Sequence, residues 1–175
     1  LLLATAVVAG LSVLSTSFVQ SIDGEISRAV TADLVVDSAT FTRGGLSADL
    51  IPGLRKLPGV EAVSGWRPGA ASVDGVLRRV GGVDVRTMFE LLDLDIGDTI
   101  PAGMSPSDIV ISQDLAEETR LRPGDSTEVV FQNGVVETMR VRAVFRSHLN
   151  ILLGDVLVDT QVLARNLPQS VDVLA

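Results

Sequence analysis

Residues 1–22 carry no charged side chain, and no other property of the 175-residue chain restricts its possible folds so strongly. As an α-helix rising about 1.5 Å per residue, the run reaches about 33 Å, enough for a hydrocarbon core about 30 Å thick. The expectation is therefore a transmembrane helix over 1–22, truncated at its N-terminus because the chain starts without Met and without a basic flank. Helical spacing continues through Phe18, Ile22, Ile26 and Val30, with Asp23, Glu25 and Arg28 on the other faces, and predicts a helical stalk over 23–30. A cleaved signal peptide is the competing reading, since Ser15, Thr16 and Ser17 could imitate a cleavage site. A buried core helix is another, although so long an uncharged run is unusual in a globular interior. Beyond the run, Asp23, Glu25, Asp33 and Asp37 outnumber Arg28 and Arg43, whereas cytoplasmic flanks are enriched in Lys and Arg. The part after residue 22 is accordingly placed outside the cytoplasm.

That part reads as α+β. Residues 32–36 form a predicted first strand, and Gly44-Gly45 leads to a helix carrying Leu46, Leu50, Leu54 and Leu57 on one face, with Asp49 as N-cap and Pro52 in the first turn. Pro58-Gly59 stops it, and 60–66 returns as a strand in a βαβ-type unit. Residues 67–75 read as turn-rich, and an extended stretch over 76–85 is expected to bulge or change sheet at Gly81-Gly82. Met88, Phe89, Leu92 and Ile96 have helical spacing, and 97–107 reads as a loop.

Further on, 108–111 is a short strand and Ser112 caps a helix over 113–120, with Leu115, Ala116 and Thr119 inward. Arg122-Pro123-Gly124-Asp125 turns into a hairpin around Asn133-Gly134. On its second arm Met139, Val141, Ala143 and Phe145 alternate with Arg140, Arg142 and Arg146. A two-residue loop would put Val129 and Phe131 on the Arg face; a three-residue loop with Gly134 left-handed keeps them on the apolar one, so the bulged form is predicted. Residues 156–158 are another strand, Asp159 an N-cap, and Val162, Leu163 and Leu167 the buried stripe of a helix ended by Pro168. A last strand begins at Val171 and is expected to continue past Ala175.

Composition argues against most chemistries. The net charge is -8, and Lys56 is the one lysine among fourteen scattered cations, so the concentrated basic patch that nucleic acid requires is missing. No Cys is present, which excludes disulfides and thiolate metal sites. Lys56 sits in no Gly-rich loop, no Gly-x-Gly-x-x-Gly occurs, and Gly45-Leu46-Ser47-Ala48-Asp49 lacks the last glycine of a nucleophile elbow. His148, the single histidine, reads as a solvated loop residue rather than part of a Ser-His-Asp triad. Asp93, Asp95 and Asp98 resemble a calcium loop, but Gly97 falls one place early and Met104 stands where a bidentate Glu is needed, so a solvated acidic turn is expected. Trp66 reads as a packing residue before a ligand anchor. No catalytic, cofactor-binding or metal-binding residue is nominated.

Read in order, the segments resemble the extracytoplasmic domain of MacB-like, FtsX-like ABC transporter permeases. The resemblance runs from the apolar helix into Ala32-Asp33-Leu34-Val35-Val36, then through Leu54-Arg55-Lys56-Leu57-Pro58-Gly59-Val60-Glu61-Ala62-Val63 and Val80-Gly81-Gly82-Val83-Asp84. It is densest at Ile111-Ser112-Gln113-Asp114-Leu115-Ala116, at Leu121-Arg122-Pro123-Gly124-Asp125, and at Val141-Arg142-Ala143-Val144-Phe145. It implies a MacB-like domain over 31–175, truncated at its C-terminus, with a porter-like part (31–85 and 165–175) and a smaller β-rich part (86–164). It also implies a cytoplasmic ATPase that binds the ATP, a second permease copy, membrane lipid, and an extracytoplasmic adaptor or lipoprotein as partners, with no cofactor and no enzymatic activity in this chain.

The function so implied is export or mechanotransmission across the cell membrane driven by that ATPase. The alternative is the ligand-binding ectodomain of a membrane-anchored sensor, distinguished by a second span leading into a signalling domain. A secreted hydrolase would instead need signal cleavage and a nucleophile with its base.

Overall fold

The computed structural model describes residues 31–36, 45–47, 49–96, 104–147, 153–168, 171–173 and 175. The expected transmembrane helix, the stalk, His148 and Asp98 lie outside the described residues. Among those described, no helix is long and apolar enough to cross a membrane.

Six strands form a closed barrel: β1 (Arg67–Val73), β2 (Val76–Val83), β3 (Asp108–Ser112), β4 (Ser126–Phe131), β5 (Val136–Phe145) and β6 (Val156–Asp159), in the order β1-β2-β6-β3-β5-β4. Antiparallel β1/β4 pairing closes the ring, and β2/β6 and β3/β5 are parallel. Among the described residues the helices are α1 (Leu50–Leu54), α2 (Met88–Leu91), α3 (Gln113–Thr119) and α4 (Thr160–Asn166).

Alternation along the strands builds two apolar layers. One face gives Val73, Val80, Ile109, Ile111, Val129, Phe131, Met139, Val141, Val156 and Val158 to a cluster completed by Leu115 of α3 and Val162 and Leu163 of α4. The other face of β3 and β6 gives Val110 and Leu157 to a second cluster, which Ala143 and Phe145 of β5 join because the β3/β5 register shifts between Ile109 and Val110. The face expected to hold Met139, Val141, Ala143 and Phe145 together is thus split between the two clusters. Val85, Met88 and Leu94 cover the second one, with Trp66 and Phe89 against it. Apolar cover on both faces is why β3 and β6 are buried at every position.

Local chemistry set several elements as expected. The Ser112 side chain accepts from Leu115 N at 3.2 Å and Asp159 from Gln161 N at 2.8 Å, the two N-caps. The β4/β5 hairpin has the bulged loop: Phe131 N donates to Val135 O, Gly134 takes φ +81°, and Val129 and Phe131 share the buried face with Met139 and Val141.

Other expectations need correction. The stripe Leu46, Leu50, Leu54 and Leu57 is not one helix: α1 covers five residues and buries none, because Pro52 and Gly53 weaken it, and Leu57 beyond its end is 52% exposed. Asp49 precedes it without a side-chain cap. The sheet starts at Arg67, so part of the stretch read as turns is strand, while 60–66, expected as the returning strand of a βαβ-type unit, forms no ladder beyond a lone bridge at Trp66. The turn itself is Asp74-Gly75, with φ of 51° and 78°, between the paired Val73 and Val76. Positive φ at both loop residues is the primed turn whose twist suits a two-residue hairpin.

Gly81 and Gly82 do not interrupt β2 but pair with both β1 and β6. They serve close approach: a Cβ on Gly81 would collide with the Leu153 carbonyl oxygen, and one on Gly82 would lie 3.0 Å from Leu163 Cδ2 of α4. The helix expected to reach Arg120 ends at Thr119, with Arg120 left-handed at φ 61°. The barrel takes in β1 and β2 together with the strands from Asp108 onward.

The segments expected as first and last strands meet without forming a regular ladder over the described residues. Val36 and Ala175 exchange both backbone hydrogen bonds, at 2.6 and 2.9 Å, as an antiparallel pair does. Val173 N donates to Trp66 O and Leu46 N to Asp172 O, which gathers three distant parts of the chain where the barrel begins.

Candidate functional site

Among the described residues no group of His, Asp and Glu could hold a metal ion. Asp95, from the acidic run, is exposed with φ 41°, and Trp66 packs half-buried against the second apolar cluster. The geometry that stands out is polar and lies where the barrel meets the rest of the chain.

Asp84 is the first residue after β2. Its Oδ2 accepts from Arg55 Nη2 at 2.7 Å, and its Oδ1 from Arg86 N at 3.1 Å and Arg86 Nε at 3.2 Å. Arg55 also donates to Val63 O at 3.1 Å, and Asp84 N to Ser64 Oγ at 3.2 Å, so one carboxylate draws the stretch after α1, residues 63–64 and the exit of β2 together. Burial of Asp84 pushes its carboxyl up. The side-chain and backbone hydrogen bonds from Arg86, with the charges of Arg86 and Arg55, outweigh this and hold it below its ordinary value. The same contact with Asp84 raises the Arg86 guanidinium. An open cleft beside this cluster is lined by residues 60–63, Asp84, Arg86 and Thr87.

A second pair stands at the opening of β1. Arg67 donates through Nε to Asp172 Oδ1 at 3.1 Å and through Nη2 to Asp172 Oδ2 at 3.2 Å, a two-bond fork with both side chains mostly buried. A Cβ at Gly65 would come within 3.1 Å of Asp172 Cγ, so the absence of a side chain there leaves room for the carboxylate. None of these residues was nominated from sequence. Their partners lie 29 and 105 residues apart, and no local motif announces such pairs.

The MacB-like periplasmic core domain family matches residues 1–175, the whole chain. This chain belongs to that family. The MacB-like domain is therefore of the periplasmic, or extracytoplasmic, type found on ABC transporter permeases. Solved structures similar to it include the extracellular domain of the ABC-type transporter YknZ from Gram-positive bacteria, at TM-score 0.52 and 17% identity, covering 71% of this chain and 67% of that one. A domain of a protein assigned as a permease from Porphyromonas gingivalis gives TM-score 0.51 and 15% identity over 74% of this chain and 66% of that one. At such identities the likeness is one of fold, and the chain spans about two thirds of the length of each. No curated protein matches the chain.

Proposed function

We propose that this MacB-like domain is the extracytoplasmic body of a permease subunit, anchored in the cell membrane by residues 1–22, and that it passes on movement driven by a cytoplasmic ATPase. The observation that carries this reading is the family match over the whole chain. The fold suits the role: a closed barrel tied at one end by charged pairs can be displaced as a body without an active-site residue. On this reading the chain binds no cofactor and catalyses nothing. ATP is bound by the partner ATPase, and a second permease copy, membrane lipid and an extracytoplasmic adaptor or lipoprotein complete the assembly. What is moved, whether cargo or an external partner, depends on those other parts.

The test is purification of the full-length gene product from native membranes. The expected result is a carbonate-resistant membrane protein that brings an ATPase with it, and whose barrel changes its distance from the bilayer when ATP is added. A freely soluble product starting near residue 18, or a membrane protein with neither ATPase nor nucleotide response, defeats the proposal. A second span followed by a signalling domain would point to the sensor instead.

A further inference from the structure

The two charged pairs have a common geometry that neither shows alone. The β1/β2 ladder ends at the pair Arg67↔Gly82, so Arg67, the first residue of β1, and Asp84, which follows β2, lie at one end of the barrel on adjacent strands. Their partners both come from outside the sheet: Asp172 from the chain's last stretch and Arg55 from just after α1. The polarities are opposed. The barrel offers a cation on β1 and an anion after β2, and the outer segments offer the complementary anion and cation. Exchanging the two partners would set Arg67 against Arg55 and Asp84 against Asp172, so the arrangement admits one seating of the barrel and penalises the swapped one. Apolar packing does not do this work at α1, which buries no residue. Contacts between parts of a chain that rest on polar groups allow relative motion when those groups part.

We infer that Arg67–Asp172 and Arg55–Asp84 are two clamps that fix the angle of the barrel on the segments around 36, 55 and 172, and that the barrel tilts about its chain crossing at 66/67 when either is opened. The inference concerns the domain alone and does not rest on the transport reading.

The 175-residue chain has no cysteine, so spin labels can be placed on it in detergent micelles without removing native thiols. Lys56→Cys with Glu128→Cys reports the barrel against the outer segment, since both positions are exposed. Leu77→Cys with Glu128→Cys reports within the barrel, across β2 and β4. Pulsed electron resonance is expected to give one narrow 56–128 distribution for the parent chain. Asp172→Asn and Arg55→Gln should each widen it or add a shifted maximum while the 77–128 distribution stays unchanged. The exchange Arg67→Asp with Asp172→Arg should restore the narrow form. An unchanged 56–128 distribution in both single variants overturns the inference. So does widening of the 77–128 pair, which would mean the clamps hold the barrel itself, and so does a charge exchange that leaves the 56–128 distribution wide.

Discussion

Asn166 at the end of α4 donates its side-chain amide to Glu137 Oε1 of β5 at 2.7 Å while its own oxygen accepts from Asn133 Nδ2 at 3.3 Å. The same amide donates to Val162 O at 3.1 Å, and Arg165 adds two bonds to Glu137 at 3.0 and 3.1 Å. One buried carboxamide thus fastens the helix to the hairpin by its arm and by its loop.

Asn166 is 2% exposed, so Asn166→Ala strands a donor on Asn133 and leaves Glu137 short of one partner. The expected loss is about 0.5–1.5 kcal/mol, the net worth of a hydrogen bond, because Asn133 is exposed and Glu137 only partly buried, so water can take the vacated place. Urea denaturation at neutral pH measures it. Asn166→Asp should be worse than Asn166→Ala at that pH, because it sets a second carboxylate beside Glu137.

At Gly69 a Cβ would lie 2.9 Å from both Leu163 Cδ1 and Leu167 Cδ1, so α4 rests on bare backbone there. Gly69→Ala is expected to cost about 1–3 kcal/mol by overpacking. Combined with Leu163→Val it should cost less than the sum of the two single changes, since the smaller side chain vacates the contested space. Thermal denaturation of the four proteins in the cycle gives the coupling, and strict additivity would show that α4 shifts freely.

Gly134 has φ +81° with open space where a Cβ would stand, so backbone conformation alone resists substitution. Gly134→Ala should cost about 1–2 kcal/mol, the penalty of a left-handed L-residue. Gly134→Asn should cost less, because Asn tolerates that region. The order of the two melting temperatures decides the point.

The depressed carboxyl of Asp84 makes an acid-side prediction. A group that ionises more readily in the folded state than in the unfolded chain stabilises the fold above the unfolded value, about 4 for Asp, and that contribution is lost as pH falls through the folded value. Asp84→Asn should therefore be less stable than the parent at pH 7, with the gap closing as the pH is lowered below about 4. A gap in urea midpoints that stays constant between those conditions would assign the loss to packing.

Where a few neighbouring residues decide the outcome, the sequence was legible. Ser112 and Asp159 cap because an oxygen two or three residues ahead of free N–H groups has no better use. The bulged loop at Gly134 follows from the need to keep Val129 and Phe131 on the face of Met139 and Val141. Reading failed where glycine and proline stood for two things at once. Pro68-Gly69 looked like a turn but opens β1, and Gly81-Gly82 looked like a break but is where the chain passes beneath Leu153 and α4. The Asp74-Gly75 turn carried its own signal, masked by the turn-like residues just before it. The Arg67–Asp172 and Arg55–Asp84 pairs were beyond local reading, because nothing near Arg67 distinguishes it from the other arginines until the fold brings Asp172 to it.

The barrel's closure by β1 against β4 also limits how any companion could take hold of it. Every strand in the ring has a neighbour on each side, but β1 meets β4 only over 71–73 and β2 meets β6 only over 80–83, so the margins left for a foreign peptide to add itself as one more strand are a few residues long. Recognition at the barrel then falls mainly to side chains and connecting turns, and copies crowded together outside the cell membrane find only short templates there for stacking into fibrils.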